Sequence, residues 1–334
     1  MRLLRERQID AVVHMAAQTH VDASFVPDSP RLSGALAFNR DNVLGTQVVL
    51  EAVRQHWGPS AAPGAEAVAG PYRFVNVSTD EVYGETGVGD GVGVDESAPL
   101  NPTNPYAGTK AAAEMIARSY GHSFGLPIIT TRSNNAFGPG QFPEKVVPRF
   151  IRQLLAGEKM TFHGELLRQA FFCLFAQMLI ALLAGEGMTR RSFLYVEDCA
   201  AAIVRVLQRG ELGAAYNIGG AAEFTVRDIG SMLAAKFGLA GDVELHSVRV
   251  RDRYAQAAGY PLGNRTKTER LWAATHRPFN DRRYLLNDEA LRALGWVEEF
   301  DFSSGLDRTI SWYKEHPRDA EIWPVPPTCA LLAE

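Results

Sequence analysis

The feature that most constrains this chain is a short apolar run, residues 73–77, that ends directly in polar residues. The run R-F-V-N-V contains the β-branched and aromatic side chains typical of a buried strand. The residues that follow it are Ser78, Thr79, Asp80 and Glu81. Ligands bind at the carboxyl ends of strands in open parallel α/β sheets. The sequence therefore predicts a functional site here that contains two adjacent carboxyl groups.

A tyrosine and a lysine follow this strand at helical spacing. Asn104 and Pro105 are a favourable N-cap and first residue for a helix. Tyr106 and Lys110 then share one face of that helix. A phenol has an unperturbed pKa of about 10, and a nearby cation lowers this pKa because it favours the phenolate. The pair predicts a proton-transfer site in which Lys110 lowers the pKa of Tyr106.

The order of the predicted elements indicates a doubly wound α/β fold. Residues 9–15 and 127–131 have the composition of buried strands, and residues 39–55 carry apolar side chains at helical spacing. Strands and helices that alternate in this way form a Rossmann-like parallel sheet. Ala16 and Ala17 follow the first strand and would let a ligand approach the backbone closely, although a tight turn accounts for them equally well.

The second half of the chain predicts a smaller α/β domain that binds a substrate. We expect a Rossmann-like domain over residues 1–140 and the second domain over residues 141–320, with residues 192–210 returning to the first. Residues 321–334 are expected to form a tail. The arginines within residues 277–284 could clamp a diphosphate, because guanidinium groups bind phosphate oxygens in pairs. The alternative is that these arginines are simply exposed to solvent.

Composition argues against several classes of protein. The formal net charge of −4 and the lack of a long basic run argue against a nucleic-acid partner. The three cysteines are widely spaced, which fits neither a disulfide framework nor a thiolate metal site and predicts a reducing, cytoplasmic location. The eight histidines form no metal-binding motif, so no metal is expected. Residues 166–185 are almost continuously apolar but contain Gln177, so a membrane span is only a minor alternative.

Several longer runs resemble those of the nucleotide-sugar 4,6-dehydratases, which are extended short-chain dehydrogenases/reductases. The most specific is V-S-T-D-E-V-Y-G-E, and others are H-M-A-A-Q-T-H-V-D-A-S-F, N-P-T-N-P-Y-A-G-T-K-A-A-A-E-M, F-G-P-G-Q-F-P-E-K-V-V-P-R-F, R-S-F-L-Y-V-E-D and Y-N-I-G-G. Related epimerases keep the Tyr-Lys pair but lack the Asp-Glu doublet. The resemblance implies NAD as the cofactor, dTDP-glucose or UDP-glucose as the substrate, and a homodimer. It leaves the nucleotide base open.

The resemblance also implies roles for individual residues. Tyr106, assisted by Lys110 and the nicotinamide charge, would remove the proton of the C4 hydroxyl, to which Thr79 would hydrogen-bond. Glu81 would remove the C5 proton and Asp80 would protonate the departing C6 hydroxyl, which requires one ionised and one protonated carboxyl. The implied cofactor contacts are Ala16, Ala17, Thr19, Ser78, Tyr106 and Lys110, and the implied substrate contacts are Asn135, Lys145, Arg191, Asn217 and Arg277.

Departures from the family pattern lead to further hypotheses. The glycine-rich βαβ unit that cradles the NAD pyrophosphate is expected before residue 9 and is missing from the sequence, so we expect little dehydratase activity from these 334 residues alone. Residues 166–185 and 254–276 interrupt runs that are continuous in the family, and retained introns would explain both. Transcript reads that begin at Met1 and span both segments would contradict this explanation. An alternative is a catalytically inactive relative that only binds a nucleotide sugar or a partner.

Overall fold

Strands and helices alternate along the chain in the computed structural model. The strands are β1 (Ala11–His14), β2 (Arg73–Thr79), β3 (Ile128–Ser133), β4 (Asn135–Phe137), β5 (Thr161–Phe162), β6 (Arg190–Tyr195), β7 (Ala215–Ile218), β8 (Glu223–Thr225) and β9 (His246–Ser247). The helices are α1 (Arg2–Glu6), α2 (Val21–Ser24), α3 (Ala35–Phe38), α4 (Gly45–His56), α5 (Pro105–Phe124), α6 (Val146–Leu155), α7 (Val196–Arg209), α8 (Val226–Lys236), α9 (Glu289–Ala293) and α10 (Phe302–Glu315).

These elements belong to two units of the chain. The first unit comprises Met1–Ala136, Ser192–Ala221 and Arg283–Glu299, and the second comprises Phe137–Arg191, Ala222–Arg282 and Phe300–Glu334. The structure describes residues 2–25, 34–58, 70–86, 91–143, 145–157, 160–162, 189–239, 246–247 and 281–316. The two interrupting segments, residues 166–185 and 254–276, and the predicted tail, residues 321–334, lie outside the described residues.

The first unit is built on a parallel sheet in the order β1, β2, β3, β7. This sheet confirms the predicted α/β, Rossmann-like fold class. The register pairs His14 of β1 with Asn76 of β2. Strand β2 is longer than predicted and includes Ser78 and Thr79, and a 3-10 helix over Asp80–Tyr83 follows it.

Apolar residues cover both faces of this sheet. Alternate side chains of a strand point to opposite faces, so Phe74 and Val75 of β2 belong to different apolar clusters. Phe74 packs with Leu50 of α4, and Val75 packs with Val206 of α7. Burial on both faces explains why the consecutive residues Phe74 and Val75 of β2 are both apolar, as expected for a parallel strand.

The second unit has an aromatic core of its own. The ring of Phe302 in α10 lies 4.8 Å from that of Phe137 and 4.3 Å from that of Phe224, measured between centroids. Helix α6 buries Phe150 and Ile151 and packs against α8 and α10. A smaller sheet has the strand order β4, β6, β8, and β5 pairs with β9. Within the described part of the chain, no helix is long and apolar enough to cross a membrane.

A buried ion pair joins α5 to β3. The side chains of Arg132 and Glu114 are only 7% and 4% exposed, and the guanidinium donates to the carboxylate from both Nε and Nη2. Arg132 also donates to the Tyr83 hydroxyl at 2.6 Å and lies over that ring. Removing one partner of a buried pair is costly because the other charge remains buried without compensation.

Glu114→Ala should therefore destabilise the protein by about 3–5 kcal/mol in urea unfolding, because Arg132 would keep a buried, uncompensated charge. The matched control is Glu51→Ala, which removes the more exposed pair with Arg54, whose side chains are 35% and 30% exposed respectively. We expect that control to cost less than about 1 kcal/mol, because solvent screens an exposed pair. Equal losses in the two variants would contradict this interpretation.

Candidate active site

The predicted Thr-Asp-Glu run lies at the carboxyl end of β2. Thr79 is the N-cap of the 3-10 helix, and its hydroxyl accepts from the Glu81 backbone N–H at 3.4 Å. The same hydroxyl donates to Asp80 Oδ1 at 3.0 Å. Asp80 is 3% exposed, whereas Glu81 is only partly buried. The two neighbouring carboxyl groups therefore have different environments, as an acid and a base in one site require.

Each carboxyl group of the doublet accepts a hydrogen bond from a different asparagine. Asn134, which follows β3, donates from Nδ2 to Asp80 Oδ2 at 2.7 Å. Asn104, the N-cap of α5, donates from Nδ2 to Glu81 Oε2 at 2.8 Å. Its Oδ1 accepts from the backbone N–H of Ala107 at 2.8 Å, which confirms the predicted cap. Sequence reasoning found the cap but neither contact with the doublet.

Asn134 contacts the doublet, although the sequence analysis assigned a role only to its neighbour Asn135. It is 5% exposed and contacts Asp80, whereas its neighbour Asn135, the predicted substrate contact, begins β4 and is exposed. Adjacent side chains of an extended segment point to opposite sides, so only one of two neighbouring asparagines can face the doublet. This alternation is the signal that could have identified Asn134. The substrate contact of Asn135 stays a prediction.

Tyr106 and Lys110 are both buried near the start of α5. Burial raises the pKa of Tyr106, and the charge of Glu81 raises it further. A hydrogen bond with Thr79 lowers the pKa in part, and the charge of Asp80 raises it again. The prediction that Lys110 lowers this pKa is therefore wrong for the protein by itself, because desolvation and the carboxyl charges dominate.

Lys110 connects α5 to β2. Its Nζ donates to the Val77 carbonyl oxygen at 2.6 Å, just before the Thr-Asp-Glu run. Burial lowers the pKa of Lys110 to about 8, and the charge of Glu114 partly opposes this shift. Burial and the Lys110 charge together lower the pKa of His14, whose Nε2 lies 2.9 Å from Thr46 Oγ1. Lys110 therefore holds α5, and Tyr106 with it, against the carboxyl end of β2.

A π-helical turn over Asn39–Leu44 lies between α3 and α4, where a regular helix was predicted. Its Asn42 donates from Nδ2 to the Gln18 carbonyl oxygen at 3.1 Å and to Thr109 Oγ1 at 2.9 Å. Asn42 Oδ1 accepts from the Gln18 backbone N–H at 2.7 Å. These bonds tie the turn after β1 to α5. Single π-helical turns are frequent at functional sites.

The predicted cofactor contacts lie after β1 and at the end of β2. Ala16 and Thr19 are exposed and Ala17 is partly exposed. The Ser78 hydroxyl is buried, and within the described part of the chain it has no hydrogen-bond partner. Buried polar atoms are usually paired, so a ligand atom would satisfy this hydroxyl. Small side chains beside an unpaired hydroxyl at adjacent strand ends fit the binding of a dinucleotide such as NAD.

Asn217 holds several segments of the first unit together. It is 0% exposed, and its Nδ2 donates to the carbonyl oxygens of Val94 at 2.9 Å and Asn287 at 3.0 Å. Its Oδ1 accepts from the Tyr83 hydroxyl at 2.8 Å. The substrate contact implied for Asn217 stays a prediction, and the amide would have to leave a protein partner to make it.

The remaining predicted substrate contacts belong to the second unit. Lys145 is the N-cap of α6. Arg191 lies in β6, and its guanidinium donates to the carbonyl oxygens of Arg190 at 2.7 Å and Asp281 at 2.8 Å. Arg277 lies outside the described residues. Their contacts with a substrate stay predictions.

Comparison with known proteins decides the family. The model of the NAD dependent epimerase/dehydratase family matches residues 1–219. The chain belongs to this family. Members named as dehydratases and members named as epimerases are both similar to it, so membership alone does not determine the reaction.

Named relatives include dehydratases for both nucleotides. A dTDP-glucose 4,6-dehydratase of Xanthomonas campestris pv. campestris is 34% identical over 313 residues, which are 93% of this chain and 74% of the relative. A trifunctional UDP-glucose 4,6-dehydratase/3,5-epimerase/reductase of Arabidopsis thaliana is 38% identical over 316 residues. That match covers 94% of this chain, and the chain spans only 38% of the relative's length.

Solved structures of family members also match the fold. A dTDP-glucose 4,6-dehydratase of Streptomyces venezuelae, solved with NAD bound, is 31% identical with a TM-score of 0.69. The match covers 94% of this chain and 76% of that one. A UDP-glucose 4-epimerase of Thermus thermophilus in complex with NAD is 28% identical with a TM-score of 0.67, over 94% of this chain and 80% of that one. Structural neighbours of the chain therefore bind NAD.

The buried lysine leads to a prediction about stability and pH. The pKa of Lys110 is lowered from 10.5 to about 8 by folding, so between these values the unfolded chain binds more protons than the folded chain. The contribution of Lys110 therefore makes stability rise with pH. Between about pH 7.5 and about pH 9.5 this gain should be about 2 kcal/mol, and Lys110→Met should abolish it. Urea unfolding across this range measures it.

The control for this experiment is Lys314→Met, which removes an exposed lysine of α10. This variant should keep the pH dependence of the unmodified protein. If the Lys110→Met and unmodified proteins gain stability equally over this range, the lowered pKa of Lys110 is refuted.

Proposed function

We propose that this protein is a nucleotide-sugar 4,6-dehydratase that converts dTDP-glucose to dTDP-4-keto-6-deoxyglucose. The observation that carries the proposal is the Asp80–Glu81 doublet, with each carboxyl held by its own asparagine beside Tyr106. Oxidation at C4 alone, as in a 4-epimerase, needs a base for the hydroxyl proton. Elimination across C5 and C6 also needs a second base and an acid, and the doublet supplies both.

NAD, which solved relatives bind, would accept a hydride from C4 and return it to C6. We propose that the small residues 16–17, Thr19 and Ser78 hold it, since the buried Ser78 hydroxyl has no partner among the described residues. The positive charge of the oxidised nicotinamide would oppose the effect of burial on the pKa of Tyr106. Tyr106 would then take the proton of the C4 hydroxyl. The hydroxyl of Thr79 would hydrogen-bond to the phenol oxygen of Tyr106 and to the C4 oxygen of the sugar.

The doublet would carry out the elimination. A ketone at C4 makes the C5 proton acidic, and Glu81 takes this proton. The electron pair of the C5–H bond forms the C5–C6 double bond, and the C6–O bond breaks. The departing oxygen takes a proton from Asp80 and leaves as water. When the hydride returns to C6, C5 takes back a proton from Glu81, which restores the 4-keto sugar and the Glu81 carboxylate. Two adjacent carboxylates repel each other, so the state with one carboxyl group ionised and the other protonated is favoured. That is the state the elimination requires.

The alternative substrate is UDP-glucose. The plant relatives at 38% identity carry a UDP-glucose 4,6-dehydratase activity in their names, and the dTDP-glucose enzymes are 33–34% identical. The substrate contacts in the second unit, a homodimeric assembly and a cytoplasmic location stay predictions of the family resemblance. A second alternative is an inactive relative, but a protein that only binds a ligand has no need for the buried acid-base set around Tyr106.

The test is an assay of protein made from the full transcript, with NAD and either nucleotide glucose, that follows the alkaline absorbance of the 4-keto product. Asp80→Asn and Glu81→Gln should each lower the rate by about 10²- to 10⁴-fold, the contribution of a general acid or base. The control Asp95→Asn changes an exposed carboxyl group and should keep the rate. A C4 epimer as the only product, or unchanged rates in both doublet variants, would contradict the proposal.

A further inference from the structure

Asn134 is held in place beside Asp80 by the end of the parallel sheet. Its backbone N–H donates to the Ile218 carbonyl oxygen of β7 at 3.0 Å. Its Nδ2 donates to Asp80 Oδ2 at 2.7 Å and, over a longer distance of 3.4 Å, to the Tyr284 carbonyl oxygen. Asn134 and Asp80 are 5% and 3% exposed. The position of this amide is therefore set by the backbone of two strands and not by a mobile surface loop.

The carbonyl half of the same amide is buried and unused. Within the described part of the chain, Asn134 Oδ1 has no hydrogen-bond partner. The loop after β7 closes over it, since a Cβ on Gly219 would lie 3.7 Å from this oxygen. A buried acceptor without a donor is uncommon because it has lost its hydration without replacement. A turn of the amide would bring this oxygen to Asp80, which has a proton to donate when it is a carboxylic acid.

The asparagine beside Glu81 differs in this respect. Asn104 uses both halves of its amide, because Oδ1 accepts from Ala107 N–H and Nδ2 donates to Glu81 Oε2. It cannot turn without losing the cap of α5, so it always presents a donor to Glu81. A fixed donor favours a carboxylate, which is the form of a base. Asn134 caps no helix, and turning its amide gives up only the long bond to the Tyr284 carbonyl at 3.4 Å, so it can present either half of its amide to Asp80.

We propose that Asn134 is a positioning residue that hydrogen-bonds to Asp80 both when Asp80 is protonated and when it is ionised. Because of these contacts, Asp80 and not Glu81 acts as the acid of the doublet. The inference rests on the proposed dehydration. While Asp80 carries its proton, the carbonyl of Asn134 accepts from the carboxylic acid. When that proton has passed to the departing C6 oxygen, Nδ2 donates to the new carboxylate, which is the arrangement in the structure. The charge-assisted bond stabilises the product side of the proton transfer.

The test compares two leaving groups at C6. Hydroxide needs a proton to leave as water, whereas fluoride in the 6-deoxy-6-fluoro nucleotide glucose leaves without one. Asn134→Leu removes both the donor and the acceptor of the amide and keeps a side chain of similar size. We expect it to slow turnover of the natural substrate by about 10- to 100-fold, a part of what a general acid supplies, and to leave fluoride elimination within about 2-fold. The urea unfolding midpoint shows whether the variant is folded, and Asn134→Ser gives the same comparison if it is not.

Two further variants complete the comparison. Asp80→Asn should show the same selective loss with the natural substrate. Asn104→Ser keeps an N-cap but removes the donor to Glu81, and it should slow both substrates because both reactions remove the C5 proton. Equal slowing of both substrates by Asn134→Leu, or no slowing of either, would overturn the proposal. All of these assays use protein made from the full transcript, and if its unmodified form makes 4-keto product from neither substrate, the proposed dehydratase function itself fails.

Discussion

The side chain of Asn104 performs two tasks on which the rest of the site depends. Its carbonyl accepts from Ala107 N–H and so starts α5, while its amide nitrogen donates to Glu81. The start of the helix and the orientation of one carboxyl group of the doublet are therefore determined by the same few atoms. Lys110 adds a second attachment at Val77, nearly two turns further along the helix. Tyr106 lies between these two attachments and has little freedom to move relative to the end of β2.

Burial gives these groups their chemical character. It lowers the pKa of Lys110 to about 8 and raises that of Tyr106, so neither group behaves as it would in water. The same helix carries Glu114, whose buried pair with Arg132 attaches α5 to β3. Desolvation of this kind destabilises the folded protein unless each charge has a partner. Folding in this region is therefore constrained by the same polar contacts that place the reactive groups.

Local patterns predicted part of this arrangement. The strand before the Thr-Asp-Glu run, the cap at Asn104 and the shared face of Tyr106 and Lys110 depend on residues close in sequence. The Asn134–Asp80 contact depends on the register of β2 with β3, which no local pattern determines. The raised pKa of Tyr106 depends on how completely the folded chain excludes water. The sequence shows that Lys110 is close to Tyr106, but it does not show how completely Tyr106 is buried, and burial has the larger effect on its pKa.

In the proposed reaction, one site oxidises C4, eliminates water across C5 and C6, and returns the same hydride to C6. The most direct measurement uses nucleotide glucose labelled with deuterium at C4, with the product analysed by NMR and mass spectrometry. Return of the hydride to C6 predicts a 4-keto-6-deoxy sugar that carries the deuterium in its C6 methyl group. Deuterium that remains at C4, or a 4-keto product that has lost the label, would contradict it.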